Sequence, residues 1–258
     1  MSAARWAFIT GAGGDIGGAT ADLLAARGWG VICADIDGDR AEARAAAIRE
    51  AGGVAEAMAV DVTDEDAVRA AAQAALALGD VRALINNAGR AHGPTLRMTD
   101  YASWRQDIAL NLDSAYLCIS AFQDHLLKHG GSIVNMGSVN GLGMFGHPAY
   151  SAAKAGLMHL TRVLAVEFGA QGVRVNAVAP GTVRTQAWDA RLEANPHVFD
   201  ELTAWYPLGK VAVPADVAAA VAFLVSDDAS HITGVILPVD GGITAGVTKL
   251  YQSITQQP

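Results

Sequence analysis

The amino-acid sequence predicts an α/β fold of the Rossmann type, a doubly wound seven-stranded parallel sheet with helices on both faces. Three observations carry this. Short apolar runs alternate with Ala-rich helical patterns along the whole 258-residue chain, the order that builds a parallel sheet covered on both sides. A glycine-rich turn, Gly11 to Gly17, joins the first apolar run to the first helical pattern. Acids and amides close successive runs at Asp35, Asp61 and Asn86-Asn87, and open α/β sheets bind ligands at the carboxyl ends of their strands.

Each element has its own justification. Trp6 to Thr10 is the first strand, and Asp15 to Arg27 its helix. Gly30 to Asp35 is a second apolar strand, followed by an Ala-rich helix from about Asp39 to Ala51. Val54 to Val60 is the third strand; the helix after it, Asp64 to Leu78, has the acidic first turn that a helix dipole favours. Ala83 to Asn86 is the fourth strand, and one long helix is expected from about Thr99 to Lys128. Ser132 to Met136 precedes a helix from Pro148 to Ala170, with proline at its start. Val173 to Val178, a helix from Ala215 to Val225 and a last strand from Val235 to Val239 complete the sheet. There is no repeat and no low-complexity linker, so one domain spanning 1–258 is the simplest organisation. Residues 186–213 break the pattern, are rich in aromatics and read as an irregular lid inserted over the sheet edge, and 246–258 reads as a C-terminal tail.

Composition excludes several classes. Hydrophobic residues make up 52 %, yet no apolar run is long enough to span a bilayer. The first residues, Met1 to Ala4, lack the charged and apolar segments of a secretory signal and lead straight into a strand, so a cytoplasmic protein without a membrane partner is expected. Net charge is −8 with the acids scattered, which argues against nucleic acid. Cys33 and Cys118 fall in apolar patterns and read as buried thiols. The seven histidines show no ligand spacing, and no metal is expected.

The chemistry is concentrated in a few motifs. Tyr150 and Lys154 stand four apart on a helical pattern, so both side chains leave one face. A free phenol has a pKa of about 10; an ammonium beside it favours the phenolate, and the pair is read as a proton donor and acceptor tuned toward working pH. The turn holding Gly11, Gly14, Asp15, Ile16 and Gly17 follows a strand and opens a helix, the context of a phosphate cradle. Asp35, followed by Ile36, stands where a carboxylate accepts the adenosine ribose hydroxyls and repels a 2′-phosphate. Asp61-Val62 ends the third strand, where an acid meets an adenine amino group, and Asn87-Ala88-Gly89 follows the fourth.

Taken together these residues resemble the short-chain dehydrogenase/reductase family, from about Trp6 to Ala245. The family's Thr-Gly-x-x-x-Gly-Ile-Gly motif corresponds to Thr10 through Gly17, and its Asn-Asn-Ala-Gly run is intact at Asn86 to Gly89. The resemblance places a catalytic tetrad on Asn111, Ser138, Tyr150 and Lys154. It implies that Tyr150 exchanges the proton, that Lys154 tunes Tyr150 and holds the nicotinamide ribose, and that Ser138 orients the substrate oxygen. It also implies that Asn111 holds a relay water at a local bend of its helix. Pro180-Gly181, with Val183 and Thr185, is implied to contact the nicotinamide carboxamide. Two positions depart from the pattern: Asp15 replaces the usual glycine, and Gly137 replaces a frequent serine before Ser138.

The expected function is an NAD-dependent oxidoreductase interconverting a secondary alcohol and a ketone. NAD is favoured over NADP by Asp35 and by the lack of a basic residue in the glycine turn; Arg40 is near but preceded by Asp37 and Asp39. The alternatives are an NADPH-linked 3-oxoacyl-carrier-protein reductase and, in another class, a non-catalytic NAD-binding sensor or scaffold. The substrate is a small molecule whose pocket is read as Ser138, Asn140, His147, Trp188 and Trp205, with Arg191 a further polar candidate. A homotetramer is expected, because the helices from Thr99 and Pro148 carry more apolar positions than one sheet face covers.

Overall fold

Seven strands form one sheet, every neighbouring pair parallel, in the order β3-β2-β1-β4-β5-β6-β7. They are β1 (Trp6–Thr10), β2 (Gly30–Asp35), β3 (Val54–Ala59), β4 (Val81–Asn86), β5 (Gly131–Met136), β6 (Val173–Pro180) and β7 (Ile236–Val239). This is a computed structural model, and it describes residues 5–246 and 248–256; Met1 to Ala4 and part of the tail lie outside the described residues. The order reverses between β1 and β4, the switch point at which a ligand cleft opens in folds of this kind.

The helices are α1 (Asp15–Ala26), α2 (Gly38–Glu50), α3 (Glu65–Leu78), α4 (Tyr101–Ile108), α5 (Ser114–His129), α6 (Pro148–Phe168), α7 (Asp189–Ala194), α8 (Val198–Thr203), α9 (Pro214–Val225) and α10 (Thr248–Thr255). Their starts follow local chemistry. Asp37 accepts from the backbone N–H groups of Asp39 and Arg40, Asp64 from those of Asp66 and Ala67, and Asp100 from that of Ser103, each a carboxylate capping otherwise unpaired donors.

Two cores sandwich the sheet. On one face Leu24 of α1 and Val217, Val221 and Leu224 of α9 pack with Ile9, Val31 and Val134. On the other, Val68 of α3, Phe122 and Leu126 of α5 and Phe168 of α6 pack with Phe8, Leu84 and Ile133. Phe122 is completely buried with its ring 4.9 Å from that of Phe8; truncating such a side chain to alanine costs about 3–5 kcal/mol. Both cysteines lie in these cores, and burial pushes each thiol up to about 12.

The structure corrects the sequence reading in three places. The expected single helix from Thr99 to Lys128 is α4 and α5 joined by a π-helical turn, Ala109–Asp113, with Asn111 at its centre. Residues 186–213 are largely helical, with α7 and α8 folded over a small core of Phe199, Tyr206 and Val211. β4 starts at Val81, and β6 runs on to Pro180. Among the described residues, no helix is long and apolar enough to cross a membrane.

The turn after β1 is set by close packing. A Cβ on Gly17 would stand 2.2 Å from the Gly11 carbonyl oxygen and 2.7 Å from the Asn87 amide nitrogen, and Gly11 has φ +65°. Gly17→Ala is therefore expected to destabilise the protein by about 2 kcal/mol or more. Urea unfolding checks this; a midpoint equal to that of the parent contradicts the packing argument.

Candidate active site

The carboxyl ends of β1 and β4 diverge because their following segments cover opposite faces of the sheet. A cleft of about 1730 Å³ opens there and runs from Asp35 and Ile36 to Trp188 and Trp205. Every residue expected to be catalytic or to bind cofactor or substrate borders it except Asn111, which is buried behind the wall.

One end is shaped for a dinucleotide. The backbone of Gly14 begins α1 with no side chain capping the helix, leaving first-turn N–H groups facing the cleft. Gly11, Gly14 and Gly17 keep the backbone bare, and the nearest atom to a Cβ on Gly14 would be 3.4 Å away. Asp35 ends β2 and accepts from the N–H of Gly13 at 2.9 Å and that of Asp37 at 3.1 Å. Ile36 is exposed beside it. Asp61 is exposed and accepts from the N–H and hydroxyl of Thr63, while Val62 is buried beneath it. These residues fit an adenosine and a diphosphate.

Other residues serve differently from the expectation. The Asn87 side chain is consumed by the scaffold: its amide donates to the carbonyls of Thr10 at 2.9 Å and Gly11 at 3.2 Å. Asn140 holds its own loop, donating to the Gly146 carbonyl at 3.1 Å. Asp15 reaches across the cleft and accepts from the Gln186 N–H at 2.7 Å, tying the start of α1 to the start of the helical insertion. Gly137 has a spatial reason: a Cβ there would stand 3.0 Å from the Val178 carbonyl oxygen and 3.1 Å from the Met158 sulfur.

The other end carries the titratable groups. Tyr150 and Lys154 lie on α6, with the Lys154 nitrogen 5.5 Å from the centre of the Tyr150 ring. Lys154 is buried and donates to the Met136 carbonyl at 2.7 Å. Gly89 lets it lie there, since a Cβ at 89 would be 2.8 Å from the Asn111 oxygen and 3.2 Å from the lysine nitrogen. Asn111 donates to the carbonyls of Arg90 and Asp107 and accepts from the Arg90 N–H. Ser138 begins a short turn, its hydroxyl accepting from the Asn140 N–H. On the far side Trp188 lies 5.4 Å from Phe199, with the Arg191 guanidinium 4.6 Å above its ring.

The electrostatics reverse one expectation. Burial pushes the Tyr150 phenol above its ordinary value; the Ser138 hydroxyl pulls it back and the Asp107 carboxylate adds to the rise. The same burial lowers Lys154 to about 8. Desolvation of both groups thus outweighs the expected lowering of the phenol by the ammonium.

Sequence reasoning missed three residues here and set a fourth aside. Arg40, discounted because Asp37 and Asp39 precede it, borders the cleft and donates to the Gly13 carbonyl at 2.8 Å. Gln186 meets Asp15, and His92 pairs with a buried Asp107 at 2.5 Å. The sequence signalled this last pair only by an acid within a helical pattern.

Comparison with known proteins agrees with this architecture. The family described as enoyl-(acyl carrier protein) reductase matches residues 11–244. The crystal structure of an oxidoreductase of the short-chain dehydrogenase/reductase family from Burkholderia thailandensis is 44 % identical, with 98 % of each chain covered and a TM-score of 0.90. The cis-4-hydroxycyclohexanecarboxylate dehydrogenase of Sinomonas cyclohexanicum is 44 % identical over 94 % of this chain and 98 % of its own. A 7α-hydroxysteroid dehydrogenase, whose structure is complexed with NADH and 7-oxo glycochenodeoxycholic acid, is 32 % identical, covers 93 % of this chain and 94 % of its own, and has a TM-score of 0.88. The chain belongs to the short-chain dehydrogenase/reductase family of oxidoreductases.

The depressed Lys154 has a consequence for stability. Below about pH 8 the fold carries a buried ammonium at a cost; between about 8 and 10.5 the native state releases that proton while the unfolded chain keeps it, so this contribution to stability rises with pH. Lys154→Met is expected to stabilise the protein by about 2 kcal/mol at pH 7, with the gain shrinking toward pH 10. Urea midpoints at the two pH values test it. A gain that does not change with pH means that the ammonium is not the source.

Proposed function

We propose that the protein is an NAD-dependent dehydrogenase of secondary alcohols in which Tyr150 is the acid–base group. The observation that carries this is the placing of Tyr150, Lys154 and Ser138 on one wall of the cleft that also holds the glycine turn and Asp35. The relatives that act on a CH–OH group and the NADH complex of the hydroxysteroid dehydrogenase support the class.

In this reading a nicotinamide dinucleotide, when bound, accepts or supplies the hydride. The protein positions groups and manages the proton. The Tyr150 oxygen removes the hydroxyl proton of the substrate, or returns it to a carbonyl. Ser138 donates to the same substrate oxygen and orients it. Lys154 holds the nicotinamide ribose and stabilises the phenolate. Asn111, at the centre of the π turn, holds a relay water. Pro180, Gly181, Val183 and Thr185 form the carboxamide side, and residues 186–213 act as the substrate lid, with Trp188, Trp205, His147 and Asn140 lining the pocket.

NAD is preferred because Asp35 presents a carboxylate where NADP carries a phosphate. One observation favours the NADPH-linked 3-oxoacyl reductase reading: Arg40 stands on the same rim, against Gly13. We further propose a homotetramer through the helices around Tyr116, Val163 and Val166, whose apolar side chains are exposed, and a cytoplasmic location.

Tyr150→Phe is expected to lower NAD-linked oxidation of secondary alcohols by on the order of a thousandfold, while dinucleotide binding, read by fluorescence titration, persists. Retained turnover removes Tyr150 from the mechanism, and the absence of any wild-type turnover across an alcohol panel supports a sensor or scaffold.

Asp35→Ser combined with Ile36→Arg is expected to shift the ratio of kcat/KM for NAD over NADP by roughly a hundredfold toward NADP. A wild-type enzyme that already prefers NADP contradicts the role given to Asp35 and favours the reductase reading.

A further inference from the structure

Asp107 is a carboxylate with no exposed surface, 0 %, set in α4 among residues that face the site. A carboxylate withdrawn from water is strongly unfavourable unless it is paired. Its partner is His92, whose ring nitrogen Nδ1 lies 2.5 Å from one carboxylate oxygen and whose backbone N–H lies 3.4 Å from the other. A carboxylate accepts, so Nδ1 carries the hydrogen. The other ring nitrogen, Nε2, has no hydrogen-bond partner among the described residues, and the ring, 29 % exposed, borders the same cleft as Tyr150.

The loop that carries this ring is fastened on both sides. Asn111 exchanges two hydrogen bonds with the backbone of Arg90, at 3.2 and 2.8 Å. His147, the residue that begins the Tyr150 helix, donates its N–H to the Pro94 carbonyl at 3.0 Å, and its ring lies 3.1 Å from the His92 carbonyl oxygen. The imidazole is therefore fixed relative to Tyr150 and loses little freedom when it binds a ligand atom. The electrostatic influence of Asp107 on Tyr150 agrees with their closeness.

We propose that His92 is a specificity-determining residue whose Nε2 receives a second hydroxyl of the substrate, away from the carbon that Tyr150 serves, so that the preferred substrates are diols or polyols. The inference rests on the reading of Tyr150 as the proton-transfer group. A hydroxyl suits the site in either protonation state, since it donates to a bare Nε2 and accepts from a protonated one. A carboxylate suits only the second, and it faces the negative charge of Asp107 behind the ring.

The test compares cyclohexanol, cis-1,2-cyclohexanediol and cis-4-hydroxycyclohexanecarboxylate. The wild type is expected to prefer the diol over the mono-alcohol by about tenfold or more in kcat/KM, and His92→Phe to remove that ratio mainly through KM. His92→Gln, whose amide reaches the place of Nε2, is expected to recover part of it. Asp107→Asn, which loosens the clamp, is expected to lower it. In the Tyr150→Phe protein, the His92 Nε2 resonance in nitrogen NMR is expected to move on adding the diol and to stay in place with the mono-alcohol. Equal losses on diol and mono-alcohol in His92→Phe, an Nε2 resonance unmoved by the diol, or a preference for the carboxylate that vanishes in His92→Phe overturns the proposal. Turnover retained in Tyr150→Phe overturns the acid–base reading instead, and the nitrogen shift still reports on His92.

Discussion

The seam between the ends of β1 and β4 is the constraint on which the rest depends. Here the chain must leave a fully paired sheet in two directions, and every backbone group released must find another partner. The Thr10 hydroxyl accepts the N–H groups of Asn87 and Ala88, each at 3.0 Å, while the Asn87 amide donates to the carbonyls of Thr10 and Gly11. Each such bond contributes only about 1 kcal/mol net, but leaving any one unmade in the interior costs more. The result is a floor whose shape is set before any ligand arrives. The glycine turn rests on it from one side, and Gly89, against Lys154, continues it on the other.

From that floor the two ends of the cleft follow different physics. At the glycine turn the useful groups are backbone N–H donors, and the sequence contributes by what it omits: side chains. At Tyr150 the useful groups are titratable and desolvated. Burial moves the phenol and the ammonium in opposite directions, both toward their neutral forms. Lys154, lowered to about 8, still carries its proton at neutral pH, so the pair there is a neutral phenol beside a buried ammonium close to its own titration, which suits proton transfer.

Much of this was legible in the sequence, for identifiable reasons. The strand ends were visible because Asp35, Asp61 and Asn86 punctuate apolar runs, and all seven strands fall within a few residues of their expected places. The motif residues gather at one cleft because open parallel sheets bring the carboxyl ends of their strands together. What was not legible depends on three-dimensional partnership. Asn87 looked like a ligand contact because its role as a stitch exists only once Gly11 is beside it. Arg40 looked neutralised by Asp37 and Asp39, yet Asp37 uses its carboxylate to cap α2, and the guanidinium turns to Gly13 instead. The helical content of residues 186–213 was hidden because its helices are only about two turns long and lack a repeating apolar face. The opposed effects of burial and charge on Tyr150 could not be ranked without knowing how deep the pair lies.

The π turn at Ala109–Asp113 also says something about ancestry. A wide turn holds one residue more than the helix around it, and each residue advances an α-helix by about 100°. Take one residue out, and α5 would rotate by that angle relative to α4, carrying Phe122 and Leu126 off the sheet. Leave it in, and both faces stay in register. One residue added to a regular helix is accommodated as such a turn. Once the packing on both sides has adapted to it, it cannot be reversed by a single deletion without loss of the core.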